Sequence, residues 1–129
     1  MKIKSMPADG DCLFWALGYY YDEPGPELRK ILSKYIRQNG KQIKINDIPF
    51  SDWIEWSEGI SYKSYSDRLR DGLWGGGLEM ALFNAITGSA ISVWEINGKR
   101  LVRIAHFEGD DKPHCHLVYM GRNHYGVLV

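Results

Sequence analysis

Cysteine is scarce in this chain, which has 129 residues and only two cysteines, Cys12 and Cys115. A domain of this length can bury enough apolar surface to fold without a covalent cross-link. We therefore expect two thiols rather than a disulfide, and thiols are typical of reducing compartments. The predicted location is the cytoplasm.

The chain also lacks an excess of charge and a long apolar run. Its 16 Lys and Arg balance 16 Asp and Glu, so neither a nucleic-acid surface nor an acidic-membrane surface is indicated. No apolar run approaches the roughly 20 residues of a membrane span, and the segment from Met1 to Met6 does not have the pattern of a secretory signal. Without a repeat or a linker, residues 1–129 are predicted to form a single domain, which we expect to be a monomer.

Apolar periodicity predicts helices first and strands last. A short extended segment and a turn over residues 7–11 come before the first helix. The predicted helices span residues 12–21, 26–38, 51–57, 66–73 and 78–86. The predicted strands span residues 90–94, 101–107, 116–120 and 125–129, with a hairpin turn at Asn97-Gly98. Helices followed by a meander of strands indicate an α+β fold, with the helices packed on a small, mostly antiparallel sheet.

Cys12 lies directly after the turn and at the start of the first predicted helix, in the stretch Asp9-Gly10-Asp11-Cys12-Leu13-Phe14. The backbone N–H groups of a first helical turn lack partners within the helix, and the helix dipole places partial positive charge there. Both effects favour the thiolate, which is the nucleophilic form, whereas the carboxylates of Asp9 and Asp11 oppose it. These residues alone are compatible with two roles for Cys12, a catalytic thiol or an ordinary buried cysteine.

Histidines near the end of the sequence supply candidates for a base and for a metal ligand. His124, in Asn123-His124-Tyr125, is the candidate base for Cys12, because such partners meet in the fold rather than in the sequence. In His114-Cys115-His116, strand alternation places the two histidines on one face and Cys115 on the other, so at most two could share an ion. No partner pattern such as Cys-x-x-Cys is present, and we expect no metal site.

Three blocks of the sequence, in order, resemble the ovarian-tumour (OTU) family of deubiquitinating cysteine proteases. The stretch from Asp9 to Phe14 is similar to the family's cysteine box. Trp74-Gly75-Gly76 with Leu78-Glu79-Met80-Ala81 is similar to its middle block, which leads into the strand Ile91-Ser92-Val93. Leu117-Val118-Tyr119 with Asn123-His124-Tyr125 resembles its histidine box. The resemblance spans nearly the whole chain and implies a papain-like α+β fold, and the compact size suits viral or bacterial members that act in a host cytoplasm.

The resemblance also implies a chemistry, which is hydrolysis of isopeptide bonds at the C-terminus of ubiquitin without a metal or cofactor. Cys12 would attack the glycine carbonyl, and His124 would hold the thiolate as an ion pair and then protonate the leaving lysine amine. The turn formed by Asp9, Gly10 and Asp11 would stabilise the oxyanion together with the backbone N–H of Cys12. The implied partner is ubiquitin, polyubiquitin or a ubiquitin-like modifier. A simple turn or capping role for Asp9 is the alternative.

The Gly-Gly tail of ubiquitin would need a channel too narrow for side chains. Trp74, Gly75 and Gly76 are the predicted walls of this channel, and Asn123 and Tyr125 are predicted to line it beside the histidine. The other interpretation is that Trp74 belongs to the core and that the glycines only form a tight turn.

Gly126 departs from the family pattern, because many members carry Asp or Asn two residues after the histidine to orient its imidazole. Residues two apart in a strand share a face, and glycine supplies no side chain there. The possibilities are a Cys–His dyad, with a water or a backbone carbonyl in the third role, a third group from elsewhere, or an impaired enzyme. We prefer the dyad.

The alternative functions are an OTU-fold module that binds ubiquitin with weak or no catalysis, and a protease that processes a polyprotein.

Overall fold

Helices pack against a five-stranded sheet in the computed structural model, which describes residues 2–121 and 124–129. The helices of the described residues are α1 (Cys12–Tyr19), α2 (Gly25–Asn39), α3 (Phe50–Glu58), α4 (Tyr62–Arg70) and α5 (Gly77–Thr87). The strands of the large sheet are β1 (Ile3–Ser5), β4 (Ser89–Asn97), β5 (Arg100–Phe107), β6 (Asp111–Tyr119) and β7 (Tyr125–Leu128). A separate small ladder pairs β2 (Lys44–Ile45) with β3 (Ile48–Pro49).

The strand order of the large sheet is β1-β7-β6-β4-β5. The β4–β6 pair is parallel and the other pairs are antiparallel, so the predicted α+β class and the mostly antiparallel sheet are confirmed. The predicted meander is wrong, because β6 does not continue beside β5 but pairs on the other side of β4. The first five residues of β4 are all buried. A strand that is buried on both faces belongs in the middle of a sheet, which explains this position.

The core lies between the sheet and the helices. Helix α2 contributes the apolar stripe Leu28, Leu32 and Ile36, all of which are buried. Helix α1 lies between α2 and the strands β6 and β7. Fully buried side chains from the other elements complete the core, among them Phe50, Ile54, Leu69, Leu82, Ile91, Leu117 and Val127. The two terminal parts of the chain therefore meet at α1 and β7, because both of these elements contribute to one core.

Local signals located the helices but missed some of their ends. Helix α3 begins at Phe50, one residue before the predicted start, and Pro49 precedes it. Helix α4 begins earlier than predicted, because the hydroxyl of Ser61 caps it by accepting the Ser64 N–H at 3.1 Å. Helix α5 ends as predicted, with Gly88 in the left-handed conformation at φ 74°.

Among residues 2–121 and 124–129, no helix is both long enough and apolar enough to cross a membrane.

Cys12 and Cys115 are both buried, and each of them is a thiol. Burial raises the pKa of Cys115 to about 12, so this second thiol stays protonated in the core.

Candidate active site

Cys12 is the first residue of α1, and only 1% of its surface is exposed. Burial raises the pKa of its thiol, and the nearby Asp9 carboxylate raises it further. Backbone N–H groups of Tyr125 and Leu13 act in the opposite direction, because they donate hydrogen bonds toward the sulfur. The N–H groups of the first helical turn favour the thiolate as expected, but burial outweighs them and the pKa of the thiol is raised overall. Cys12 would need a base beside it to act as a nucleophile.

His124 directly precedes β7, and β7 packs against the helix that begins at Cys12. The backbone N–H of Tyr125, the next residue, points at the Cys12 sulfur, and α1 contacts β7. The backbone of His124 is fixed by a turn, in which its N–H donates to the Gly121 carbonyl at 3.0 Å and its carbonyl accepts from the Met120 N–H at 2.9 Å. The two sequence blocks that were predicted to form one site therefore converge in the fold.

The turn before α1 is shaped by the side chain and the backbone of Asp9. Its carboxylate accepts the N–H of Asp11 at 2.9 Å, and its carbonyl accepts the N–H of Cys12 at 3.3 Å. Three of the N–H groups predicted as donors for an oxyanion are thus engaged within the turn, since the N–H of Asp9 also donates to the Pro7 carbonyl at 3.0 Å. Gly10, at the centre, faces open space, since a Cβ built there would have no neighbour within 4 Å. The turn-forming role of Asp9 is visible in these bonds, whereas its role in catalysis stays a prediction.

Arg29 stabilises this turn by hydrogen bonds, although it was not among the residues predicted from the sequence. Its guanidinium is 2.5 Å from the Asp11 carboxylate and donates to the Gly10 carbonyl at 2.7 Å. It also donates to the carbonyls of Leu69 and Leu73 at 2.5 and 2.6 Å, and it lies over the Phe14 ring. A signal was present, because Arg29 falls on the buried stripe of α2 at helical spacing from Leu32 and Ile36.

The predicted channel residues differ in their surroundings. Trp74 is 49% exposed, so the alternative that it belongs to the core is wrong. Gly75 packs against α1, where a Cβ would lie 2.7 Å from a Leu13 methyl carbon. A Cβ at Gly76 would meet nothing within 4 Å, so close packing at the Cβ position favours glycine at Gly75 but not at Gly76. A narrow channel along these residues stays a prediction.

Tyr125 is buried beside Cys12, and its ring contacts the Tyr119 ring with 5.1 Å between centroids. Burial raises the pKa of the Tyr125 hydroxyl, so this group stays neutral. Asn123, the other residue predicted beside the histidine, lies outside the described residues.

The other histidines form a separate cluster on the sheet. His114 and His116 stack with 3.9 Å between ring centroids, and Cys115 points to the core, which confirms the predicted alternation. The Ser92 hydroxyl lies 2.9 Å from His106 Nδ1 and 2.8 Å from His114 Nε2. Within the described part of the chain, no three His, Cys, Asp or Glu side chains are arranged to hold a metal ion. Burial and neighbouring histidines lower the pKa of His114 and of His116, so these two rings favour the neutral form.

Comparison with known proteins gives matches at the level of structure. No protein-family model and no curated protein sequence matches the chain. The OTU of Hazara virus, solved with ubiquitin bound, is 25% identical with a TM-score of 0.73 over 98% of this chain and 79% of that one. The chain has the OTU fold. The resemblance found in the three sequence blocks is therefore confirmed in three dimensions.

More distant solved structures share this OTU fold. The viral OTU domain protease of Qalyub virus is 18% identical, with a TM-score of 0.70 over 99% of this chain and 83% of that one. An OTU deubiquitinase from Wolbachia pipientis, solved with ubiquitin bound, is 12% identical, with a TM-score of 0.61 over 99% of this chain and 94% of that one. At these identities the likeness concerns the fold, so the chemistry must be argued from the residues of this chain.

Proposed function

We propose that this chain is a deubiquitinating cysteine protease, with Cys12 as the nucleophile and His124 as the base. The observation that supports the proposal is the hydrogen bond from the Tyr125 N–H toward the Cys12 sulfur, because Tyr125 directly follows His124 in the chain. Solved structures that share the fold include OTU domains with ubiquitin bound, which makes ubiquitin the first candidate substrate. A thiol nucleophile suits reducing surroundings, in keeping with a cytoplasmic location.

The proton transfers follow from the raised pKa of Cys12. Because burial keeps the thiol protonated, its proton passes to His124 as the sulfur attacks the carbonyl carbon of the ubiquitin C-terminal glycine. The carbonyl oxygen becomes an oxyanion beside the Asp9–Asp11 turn, where Gly10 faces open space. Collapse of this intermediate breaks the C–N bond, and His124 gives its proton to the departing lysine amine. Water then hydrolyses the thioester and restores the thiol.

An electrophilic ubiquitin tests this proposal. The protein is incubated with ubiquitin that carries a thiol-reactive group at its C-terminus, and the adduct is identified by intact mass and peptide mapping. We expect an adduct on Cys12, none in Cys12→Ala, and slower formation in His124→Ala. Cys115→Ala is the matched control and should react like the parent, because Cys115 is buried and strongly protonated. A wild-type protein that leaves the probe unmodified would contradict the proposal.

A ubiquitin-binding module is the second candidate, and the burial of Cys12 is the observation that favours it. A thiol that is 1% exposed and has a raised pKa is poorly placed for attack unless the substrate opens its surroundings. Titration calorimetry with unmodified ubiquitin separates the two candidates. Binding to wild type and to Cys12→Ala alike, without any adduct, would support the module. The same pair of measurements with a ubiquitin-like modifier tests which modifier is preferred.

A further inference from the structure

Gly126 lies where a third catalytic side chain was expected, and the fold leaves no room for one. Strand β1 pairs with β7 so that Ser5 lies opposite Gly126. A Cβ on Gly126 would lie 2.8 Å from the Lys4 carbonyl oxygen and 2.8 Å from the Met120 methyl carbon. The imidazole of His124 must therefore take any orienting contact from another element.

Such a contact comes from the strand that occupies this space. The hydroxyl oxygen of Ser5, the last residue of β1, is 3.2 Å from His124 Nε2. The same hydroxyl is placed to donate its hydrogen to the Met6 carbonyl at 3.4 Å. When the hydroxyl hydrogen is directed to Met6, the Ser5 oxygen can accept a hydrogen bond from His124 in the tautomer that carries hydrogen on Nε2.

We infer that Ser5 is the positioning residue of His124, supplied by the strand opposite the position where glycine replaces a third catalytic side chain. Its oxygen selects the tautomer that carries hydrogen on Nε2, which leaves Nδ1 as the ring nitrogen able to accept a proton. It also limits rotation of the ring, as outer partners of functional histidines do. A neutral hydroxyl stabilises an imidazolium less than a carboxylate does, so the effect on rate is smaller than that of a charged third residue.

A matched pair of substitutions isolates the hydroxyl. Ser5→Thr keeps the hydroxyl and Ser5→Val removes it, while both side chains have nearly the same shape and suit a strand. Ser5 is exposed on its short strand, so the added methyl groups can extend into solvent. Any effect of side-chain volume is therefore shared by the two variants, and only the hydrogen bond differs.

The first readout needs no substrate. Nitrogen-15 spectra of the imidazoles report which ring nitrogen carries hydrogen, and the His124 signals are assigned by their loss in His124→Gln. We expect the Nε2–H tautomer in wild type and Ser5→Thr, and a mixture with Nδ1–H in Ser5→Val. Equal tautomer populations in Ser5→Thr and Ser5→Val would overturn the inference, whatever the activity of the protein.

The second readout rests on the proposed function. With a fluorogenic ubiquitin C-terminal amide, kcat of Ser5→Val should fall about 3- to 10-fold below that of Ser5→Thr, with KM unchanged, as expected for one hydrogen bond. Equal kcat values in the two variants, or a difference confined to KM, would overturn the positioning role. If wild type does not turn over this substrate but the tautomer contrast is present, the proposed function fails and the Ser5–His124 relationship stands.

Discussion

Arg29 Nε lies 2.5 Å from Asp11 Oδ1, and this ion pair involves the residue that directly precedes Cys12. The arginine side chain is 6% exposed and the aspartate side chain 25%. Three further guanidinium hydrogen bonds go to the backbone carbonyls of Gly10, Leu69 and Leu73. The ion pair and these bonds tie the turn before the candidate nucleophile to helix α2, so a single side chain links the stability of the fold to the geometry of the site.

We expect Arg29→Leu to be strongly destabilising, because it leaves the Asp11 carboxylate and several carbonyls without their donor. Removing one partner of a buried pair costs about 3 kcal/mol or more, and the partial exposure of Asp11 reduces this toward the lower end. Urea unfolding followed by fluorescence measures the loss. Arg37→Leu is the matched control, since the 3.2 Å pair with Asp67 is exposed and its loss should cost below about 1 kcal/mol. Equal losses in the two variants would contradict the structural role of Arg29.

Gly126→Asp tests whether turnover by the proposed protease is limited by a missing carboxylate. We expect no gain in turnover and a free energy of unfolding lower by about 1 to 3 kcal/mol, because the Cβ would press on the Lys4 carbonyl oxygen. Gly126→Ala separates the two causes, since it adds the Cβ without the carboxylate and should lose nearly as much stability. A gain in kcat of several orders of magnitude in Gly126→Asp would show that the third group was truly missing.

The sequence indicated two candidate residues for the site but not the contacts around them. Cys12 and His124 were identified because both lie in blocks with a recognisable order. Ser5 left no signal, because its contact with His124 depends on the pairing of β1 with β7, and a serine in a short strand has no periodic pattern to read. Arg29 could have been found, since a cation on the apolar stripe of a helix must be paired.

The errors in the predicted fold have similar causes. The parallel pairing of β4 with β6 joins residues far apart along the chain, and no turn motif reports it. The small ladder of β2 and β3 has strands of two residues, which are too short for a period to appear. The hairpin of β4 and β5 was predicted correctly, because Gly98 at its turn is a local signal.

Glu79→Gln is expected to stabilise the fold increasingly as the pH rises. Burial raises the pKa of Glu79 above its ordinary 4.5, against hydrogen bonds from the Tyr65 hydroxyl and the Gly76 N–H. At low pH both states hold the proton; as the pH rises from about 4.5 toward the raised pKa, the unfolded state releases it first and the native state loses stability. A tenfold change in the acid dissociation constant of Glu79 between the two states corresponds to about 1.4 kcal/mol of difference from the variant.

Denaturant unfolding of wild type and Glu79→Gln at several pH values between about 4 and 8 measures this difference. Glu55→Gln, on the exposed side of α3, is the control and should show a smaller dependence on pH. A difference between wild type and Glu79→Gln that stays constant over this range would show that Glu79 keeps its ordinary pKa in the folded protein.

His124→Ala is expected to change how the reactivity of Cys12 depends on pH. Burial raises the pKa of the thiol above its ordinary 9.0, so without a base the thiolate forms only in more alkaline solution. The rate of adduct formation with electrophilic ubiquitin should therefore keep rising beyond pH 9.0 in His124→Ala, while wild type reacts readily near neutral pH. Rates are measured from about pH 6 to about pH 10, with Cys12→Ala as the blank. If His124→Ala followed the wild-type profile with an unchanged rate at neutral pH, the base would have to be another residue.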